Sequence, residues 1–195
     1  MELTIQPQRL AETFAALVSI DSPSYGEREM ADTLIRRLEV LGAAVEEDVA
    51  AAKIGGNCGN LYGFLPGSLE LPPILLSAHM DTVAPAHGKR AIQEPDGRIH
   101  SAGDTVLGSD DLAAIAAILE VLTALQESGL PHRPVELLFS VAEEAYCVGA
   151  SAFGFQKLKS REAYVLDCEG SLGEAVVAAP TILEFTACVQ GRSSH

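Results

Sequence analysis

The sequence is poor in basic residues. It has 13 Lys and Arg residues against 27 Asp and Glu residues in a chain of 195, which gives a formal net charge of −14 at pH 7. A protein that binds nucleic acid needs a basic surface to neutralise the phosphate groups. The charge balance therefore argues strongly against a nucleic-acid-binding function.

Long apolar runs and paired cysteine motifs are also missing. No apolar stretch reaches the roughly 18 residues that a membrane-spanning helix needs. The N-terminus is acidic and amphipathic, unlike a secretory signal, and no two of the four cysteines have Cys-x-x-Cys spacing. These absences favour a location in the reducing cytoplasm, where a cysteine is commonly just a small buried apolar residue.

Apolar residues make up 48% of the chain and are arranged with alternating helical and strand patterns. Helical spacing predicts helices over residues 7–18, 26–41 and 110 to about 127. Short apolar runs bounded by turn residues predict strands. These strands cover residues 45–49 and 60–65, as a hairpin at a sheet edge, and 72–78, 135–141 and 163–166; residues 82–108 are predicted to be a loop with at most one strand, at 98–101. The pattern predicts an α/β fold with a central mixed, mostly parallel sheet and flanking helices.

Histidine and carboxylate residues occur at four separated points, three of them where a predicted strand ends and one at the head of a predicted helix. Because the carboxyl ends of parallel strands meet at one edge of a sheet, we expect these side chains to converge. Such a cluster is typical of a metal site. Its members are His79 and Asp81, Asp110 and Asp111, Glu143 and Glu144, and Asp167.

The two adjacent acidic pairs differ in the chemistry that they indicate. Glu143 and Glu144 are adjacent at a strand end and point to different sides, so one can bind a metal while the other acts as a base on the attacking water. Asp110 and Asp111 open a helix, where one aspartate alone could be an ordinary cap. Two in succession after Gly108 favour metal binding by one of them.

Four ordered motifs resemble the co-catalytic zinc exopeptidase family, which includes tripeptide aminopeptidase (peptidase T), carboxypeptidase G, succinyl-diaminopimelate desuccinylase and the aminoacylases. The order and spacing match from residue 7 to the end, and the peptidase T-like members are most similar. The motifs are Ser77-Ala78-His79-Met80-Asp81-Thr82-Val83, Gly108-Ser109-Asp110-Asp111, Glu143-Glu144 with Gly149-Ala150, and Val165-Leu166-Asp167.

The resemblance implies a site for two zinc ions, with cobalt or manganese as alternatives. His79 and Asp167 would bind one metal, Asp110 would bridge both, and Glu144 would bind the second. In the family the remaining histidine of the second metal lies well beyond residue 195. We therefore expect at most one firmly bound metal in this chain.

The resemblance also implies roles for residues around the metals. Asp81 would hold the ring of His79, and Glu143 would be the general acid/base. The peptide bond between Asp110 and Asp111 would be cis. The chain departs from many family members at Leu112, where they have lysine, and after Glu144, where Ala-Tyr-Cys follows, and both departures put the substrate subclass in doubt.

The expected domain organisation is the N-terminal part of a catalytic domain over residues 1–179, followed by the start of an inserted lid and dimerisation domain over residues 180–195. His195 stands where the family offers a histidine to stabilise the oxyanion in the active site of a partner subunit. The parent protein would be a homodimeric, cytoplasmic zinc aminopeptidase for short peptides. An N-acyl-amino-acid amidohydrolase and, for this chain alone, a catalytically silent metal-binding fragment remain alternatives.

Overall fold

The computed structural model describes residues 2–168, 170–171, 173–181, 183 and 185–192. The helices are α1 (Pro7–Val18), α2 (Arg28–Val40), α3 (Ala50–Ile54), α4 (Ser109–Ser128) and α5 (Val148–Ala152). The strands are β1 (Ala44–Glu47), β2 (Leu61–Leu65), β3 (Ile74–His79), β4 (Ala91–Gln93), β5 (Ile99–Ser101), β6 (Val135–Ser140) and β7 (Ala163–Val165).

A five-stranded mixed sheet with the order β1-β2-β6-β3-β7 forms the centre of the fold. Strand β3 is parallel to both β6 and β7, whereas β2 is antiparallel to its neighbours β1 and β6. Four of the five strands therefore point in the same direction. The predicted mixed, mostly parallel sheet with flanking helices is confirmed, and the predicted strand pair of residues 45–49 and 60–65 forms its edge.

Helices cover the sheet because their apolar stripes match its buried faces. The main core joins Leu17 of α1, Leu34 of α2 and Ile115 of α4 to Leu137 and Phe139 of β6, all fully buried. A smaller cluster joins Leu75, Leu138 and Phe153. Strand β6 is buried along its whole length, as expected for a central strand that is covered on both sides.

Two local predictions were wrong. Strand β4 pairs antiparallel with β5, so residues 82–108 contain two strands rather than at most one. Gly97, with φ +90°, forms the turn that joins them, and the Asp96-Gly97 pair was a sequence signal for it. Strand β1 ends at Glu47 because Asp48 accepts a hydrogen bond from the backbone N–H of Ala50 and starts α3.

The described part of the chain has neither a helix that could span a membrane nor a disulfide. No helix there combines the length and apolarity needed to cross a membrane. All four cysteines fall within the described residues, and no disulfide joins them. The described residues between 180 and 192 contain no strand, and His195 lies outside the described residues, so the lid assignment and the role of His195 stay predictions.

A buried carboxylate on β6 is surrounded by hydrogen-bond donors. Glu136 has no exposed surface and accepts hydrogen bonds from the hydroxyls of Tyr62 and Ser160 and from the backbone N–H groups of Lys159 and Ser160. We expect Glu136→Ala to lower the free energy of unfolding by about 3 kcal/mol, because these donors would lose their acceptor. The free energy of unfolding of the variant and the wild type is measured by urea denaturation, with circular dichroism as the signal.

Glu162→Ala is the matched control for this prediction. Its carboxylate is exposed and pairs with Arg133 at 3.1 Å, and such surface ion pairs contribute at most about 1 kcal/mol. Equal losses of stability in the two variants would show that the hydrogen bonds of Glu136 are not stabilising.

Candidate metal centre

The predicted site residues meet at the carboxyl end of the parallel strands. His79 is the last residue of β3, the two glutamates follow β6, Asp167 follows β7, and Asp110 lies in the first turn of α4. Two sets of three side chains have donor atoms within 4.8 Å of one another. They are His79, Asp110 and Glu144, and His79, Glu143 and Asp167.

The chemistry of these donors fits a divalent cation. Each set combines one imidazole nitrogen with two carboxylate oxygens, a combination that zinc and related divalent ions accept. All four predicted metal ligands belong to the two sets, and so does Glu143, the predicted acid/base. His79 is common to both sets. The cysteines at 147 and 168 belong to neither, although the Cys147 thiol donates to the Glu143 carboxylate at 3.0 Å.

The ring of His79 is oriented by contacts on both nitrogens. Its Nδ1 lies 2.9 Å from the backbone oxygen and 3.3 Å from the carboxylate of Asp81, and its Nε2 lies 3.0 Å from the carboxylate of Asp110. Burial lowers the pKa of the ring, but the hydrogen bonds of Asp81 and Asp110 and the negative charges of Asp81 and Asp111 outweigh burial and raise it to about 10. With Nδ1 held by Asp81, Nε2 is the nitrogen that faces the acidic cluster, where a cation can bind it in place of its proton.

Asp81 connects His79 to the glutamate pair. Its side chain is completely buried, and it accepts hydrogen bonds from the Ser24 hydroxyl and from the backbone N–H groups of Glu143 and Glu144. Burial alone would raise the pKa of this carboxyl, yet the hydrogen bonds from His79, Ser24 and Glu143 keep it below its usual value. An ionised Asp81 thus fixes two parts of the cluster at once.

The two aspartates at the start of α4 have different surroundings. The Asp110 side chain is 69% exposed and faces His79, whereas Asp111 is buried and accepts a hydrogen bond from the backbone N–H of His79 at 3.1 Å. Burial and the nearby acids Asp167 and Asp110 raise the pKa of Asp111 to about 8. The bond between them is cis, as the resemblance implied. The N-cap residue of α4 is Gly108, which has no side chain, so neither aspartate is the N-cap of the helix.

Some residues around the cluster were missed by the sequence analysis. Glu27 and Asn60 are completely buried and hold the turn that carries the glutamate pair. Glu27 precedes α2 and has the sequence signature of an ordinary helix start, so nothing in the sequence signalled its inward orientation. The loop histidines His87 and His100 pair with Asp21 and Glu94 and lie outside both ligand sets.

The chain is similar to a known family of peptidases over more than half of its length. Residues 75–187 match the model of peptidase family M20/M25/M40, and the chain belongs to that family. It is 35% identical over 191 residues to the protein YqjE of Bacillus subtilis, a match that covers 98% of this chain and 51% of YqjE.

Two solved structures show the same fold at similar identity. A tripeptidase from Staphylococcus aureus is 37% identical with a TM-score of 0.82, and the match covers 85% of this chain and 44% of that one. Aminopeptidase PepT from Bacillus cereus is 36% identical with a TM-score of 0.84, and the match covers 87% and 45%. The similarity to peptidase T-like proteins is therefore confirmed, and the chain spans about half the length of these relatives.

Proposed function

We propose that this chain is the metal-binding N-terminal part of a zinc-dependent aminopeptidase that acts on short peptides. The observation that carries the proposal is the pair of ligand sets that share His79 at the carboxyl ends of the parallel strands. The structures of a tripeptidase and an aminopeptidase with 36–37% identity support a peptide substrate. The cytoplasmic location is proposed from the four cysteines without a disulfide.

The residues of the chain have distinct roles in this proposal. In the full-length protein, His79, Asp110, Glu144 and Asp167 would be ligands of two zinc ions, or of cobalt or manganese, and the second ion would need a further histidine from beyond residue 195. A divalent cation at such a site supplies Lewis acidity for the amide carbonyl and the attacking water. Glu143, whose carboxylate lies 3.9 Å from the His79 Nε2 atom, would accept the proton of the attacking water and pass it to the leaving amine.

Three parts of the proposal come from the family resemblance alone. They are the lid domain that starts at residue 180, the homodimer, and the placement of His195 in the active site of a partner subunit. Residues 1–179 remain the proposed catalytic part. The assignment of Asp167 to one metal and Glu144 to the other is also a proposal, because His79 is grouped with both.

Metal content tests the proposal directly. We expect about one zinc per chain after loading, removal of excess metal by gel filtration and elemental analysis, because the described ligands include a single histidine in the cluster. We also expect negligible cleavage of a free-amine tripeptide. About two zinc ions per chain, or robust metal-dependent cleavage, would contradict the half-built site. A folded chain without zinc would overturn the proposed metal centre.

A further inference from the structure

The turn that follows β6 is held through its backbone by buried side chains from elsewhere in the fold. Four consecutive N–H groups, from Val141 to Glu144, each donate to such a side chain. The acceptors, in chain order, are Asn60 Oδ1 at 3.1 Å, Glu27 Oε1 at 2.8 Å, Asp81 Oδ1 at 2.9 Å and Asp81 Oδ2 at 3.2 Å. Side chains from other parts of the fold therefore position the turn that carries the predicted base and a predicted ligand.

Glu27 is, like Asn60, a member of this group that the sequence pattern did not predict. It lies 115 residues away from Ala142, at the N-terminus of α2, and has no exposed surface. Its Oε1 also accepts the backbone N–H of Tyr25 at 3.0 Å, while its Oε2 is buried and has no hydrogen-bond partner among the described residues. A buried carboxyl group with one oxygen that accepts no hydrogen bond lowers the stability of the fold, because that oxygen has lost its water. The position of Glu27 therefore calls for a functional explanation.

The residue that Glu27 holds has a strained backbone. Ala142 has a φ of +47°, in the left-handed region that alanine rarely adopts. Such a conformation persists when the surrounding structure imposes it. The next two residues are Glu143 and Glu144, so a change at Ala142 would alter the direction in which both carboxylates leave the sheet.

We propose that Glu27 is a positioning residue of the metal centre, which accepts the Ala142 N–H and thereby holds the left-handed turn that directs Glu143 and Glu144 toward His79. The inference rests on the proposed function, since it takes the two glutamates as parts of the centre. Glu27 itself lies in neither ligand set. Burial and the charge of Asp81 raise its pKa, so glutamine, which keeps an acceptor oxygen, is a close substitute.

Substitutions of Glu27 in this chain test its role. Zinc affinity is measured by competition with a chromophoric chelator, and the geometry of the site by the visible absorption of the cobalt-loaded protein, both well below the unfolding temperature. We expect Glu27→Ala to weaken zinc binding about 10- to 100-fold and to change the cobalt spectrum, as loss of a group that orients ligands does. Glu27→Gln, which keeps an acceptor oxygen, should bind zinc with an affinity within about 3-fold of the wild type and should show the wild-type cobalt absorption.

Glu120→Ala is the matched control for loss of a buried carboxylate. Glu120 is buried, pairs with Arg9 at 2.7 Å and belongs to neither ligand set. The Glu120→Ala protein should be less stable than the wild type but should keep the wild-type zinc affinity and cobalt absorption. If Glu27→Ala behaves like this control, the carboxylate is merely structural and the inference is wrong.

The remaining outcomes separate this inference from the proposed function. Wild-type protein that binds no zinc would overturn the metal centre and this inference together, whereas zinc binding that is unaffected in Glu27→Ala would overturn the inference alone. If Glu27→Ala does not fold, Glu27→Asp decides, because the shorter side chain withdraws its oxygen from the Ala142 N–H. Unchanged zinc affinity and cobalt absorption in that variant would also overturn the inference.

Discussion

Replacing His79 with alanine is expected to weaken zinc binding by this chain at least about 100-fold, or roughly 2.7 kcal/mol. His79 is the residue shared by both ligand sets, and it is the one nitrogen donor in either. Its Nε2 is aimed at the acids by the contacts of Nδ1 with Asp81. Removal of the ring therefore takes a ligand from both sets of side chains that could bind a cation.

The measurement is a chelator competition on folded protein, with His87→Ala and His100→Ala as controls. Both control histidines are exposed and lie outside the ligand sets, so their variants should bind zinc like the wild type. Circular dichroism checks the fold, because His79 is itself buried. Equal affinity in His79→Ala and the controls would show that zinc binds elsewhere on the chain.

Replacing Gly149 with alanine is expected to lower the free energy of unfolding by about 3 kcal/mol or more. An added Cβ would lie 1.8 Å from the backbone oxygen of Val141, far inside van der Waals contact. The backbone cannot easily yield, because Asn60 bonds both to the Val141 N–H and to the Gly149 oxygen. Zinc affinity should fall as well, since Val141 begins the turn that carries the glutamates.

Gly103→Ala is the control for this substitution. A Cβ at Gly103 meets nothing within 4 Å, and its φ is outside the left-handed region, so the change in stability should stay within about 0.5 kcal/mol. Denaturation in urea compares the two variants. A Gly149→Ala protein as stable as Gly103→Ala would mean that α5 does not press against the end of β6.

Local pattern alone predicted much of the fold. The first helix runs from Pro7 to Val18 as predicted, because Pro7 favours a helix start and the apolar spacing is regular. The three parallel strands were found within about two residues of their observed limits. The hairpin of β4 and β5 was missed because its strands have three residues each and little apolar pattern.

The family, and the acids and the histidine at the strand ends, could be predicted from the sequence alone, since strand ends and motif order are local properties of the chain. The tertiary structure decided which of these side chains meet and what holds them. Asp110 and Asp111 are adjacent in the sequence, yet one faces the cluster and the other supports β3. Glu27 and Ala142 are 115 residues apart, and a contact between distant residues exists only after the chain has folded, because no periodicity or spacing encodes it.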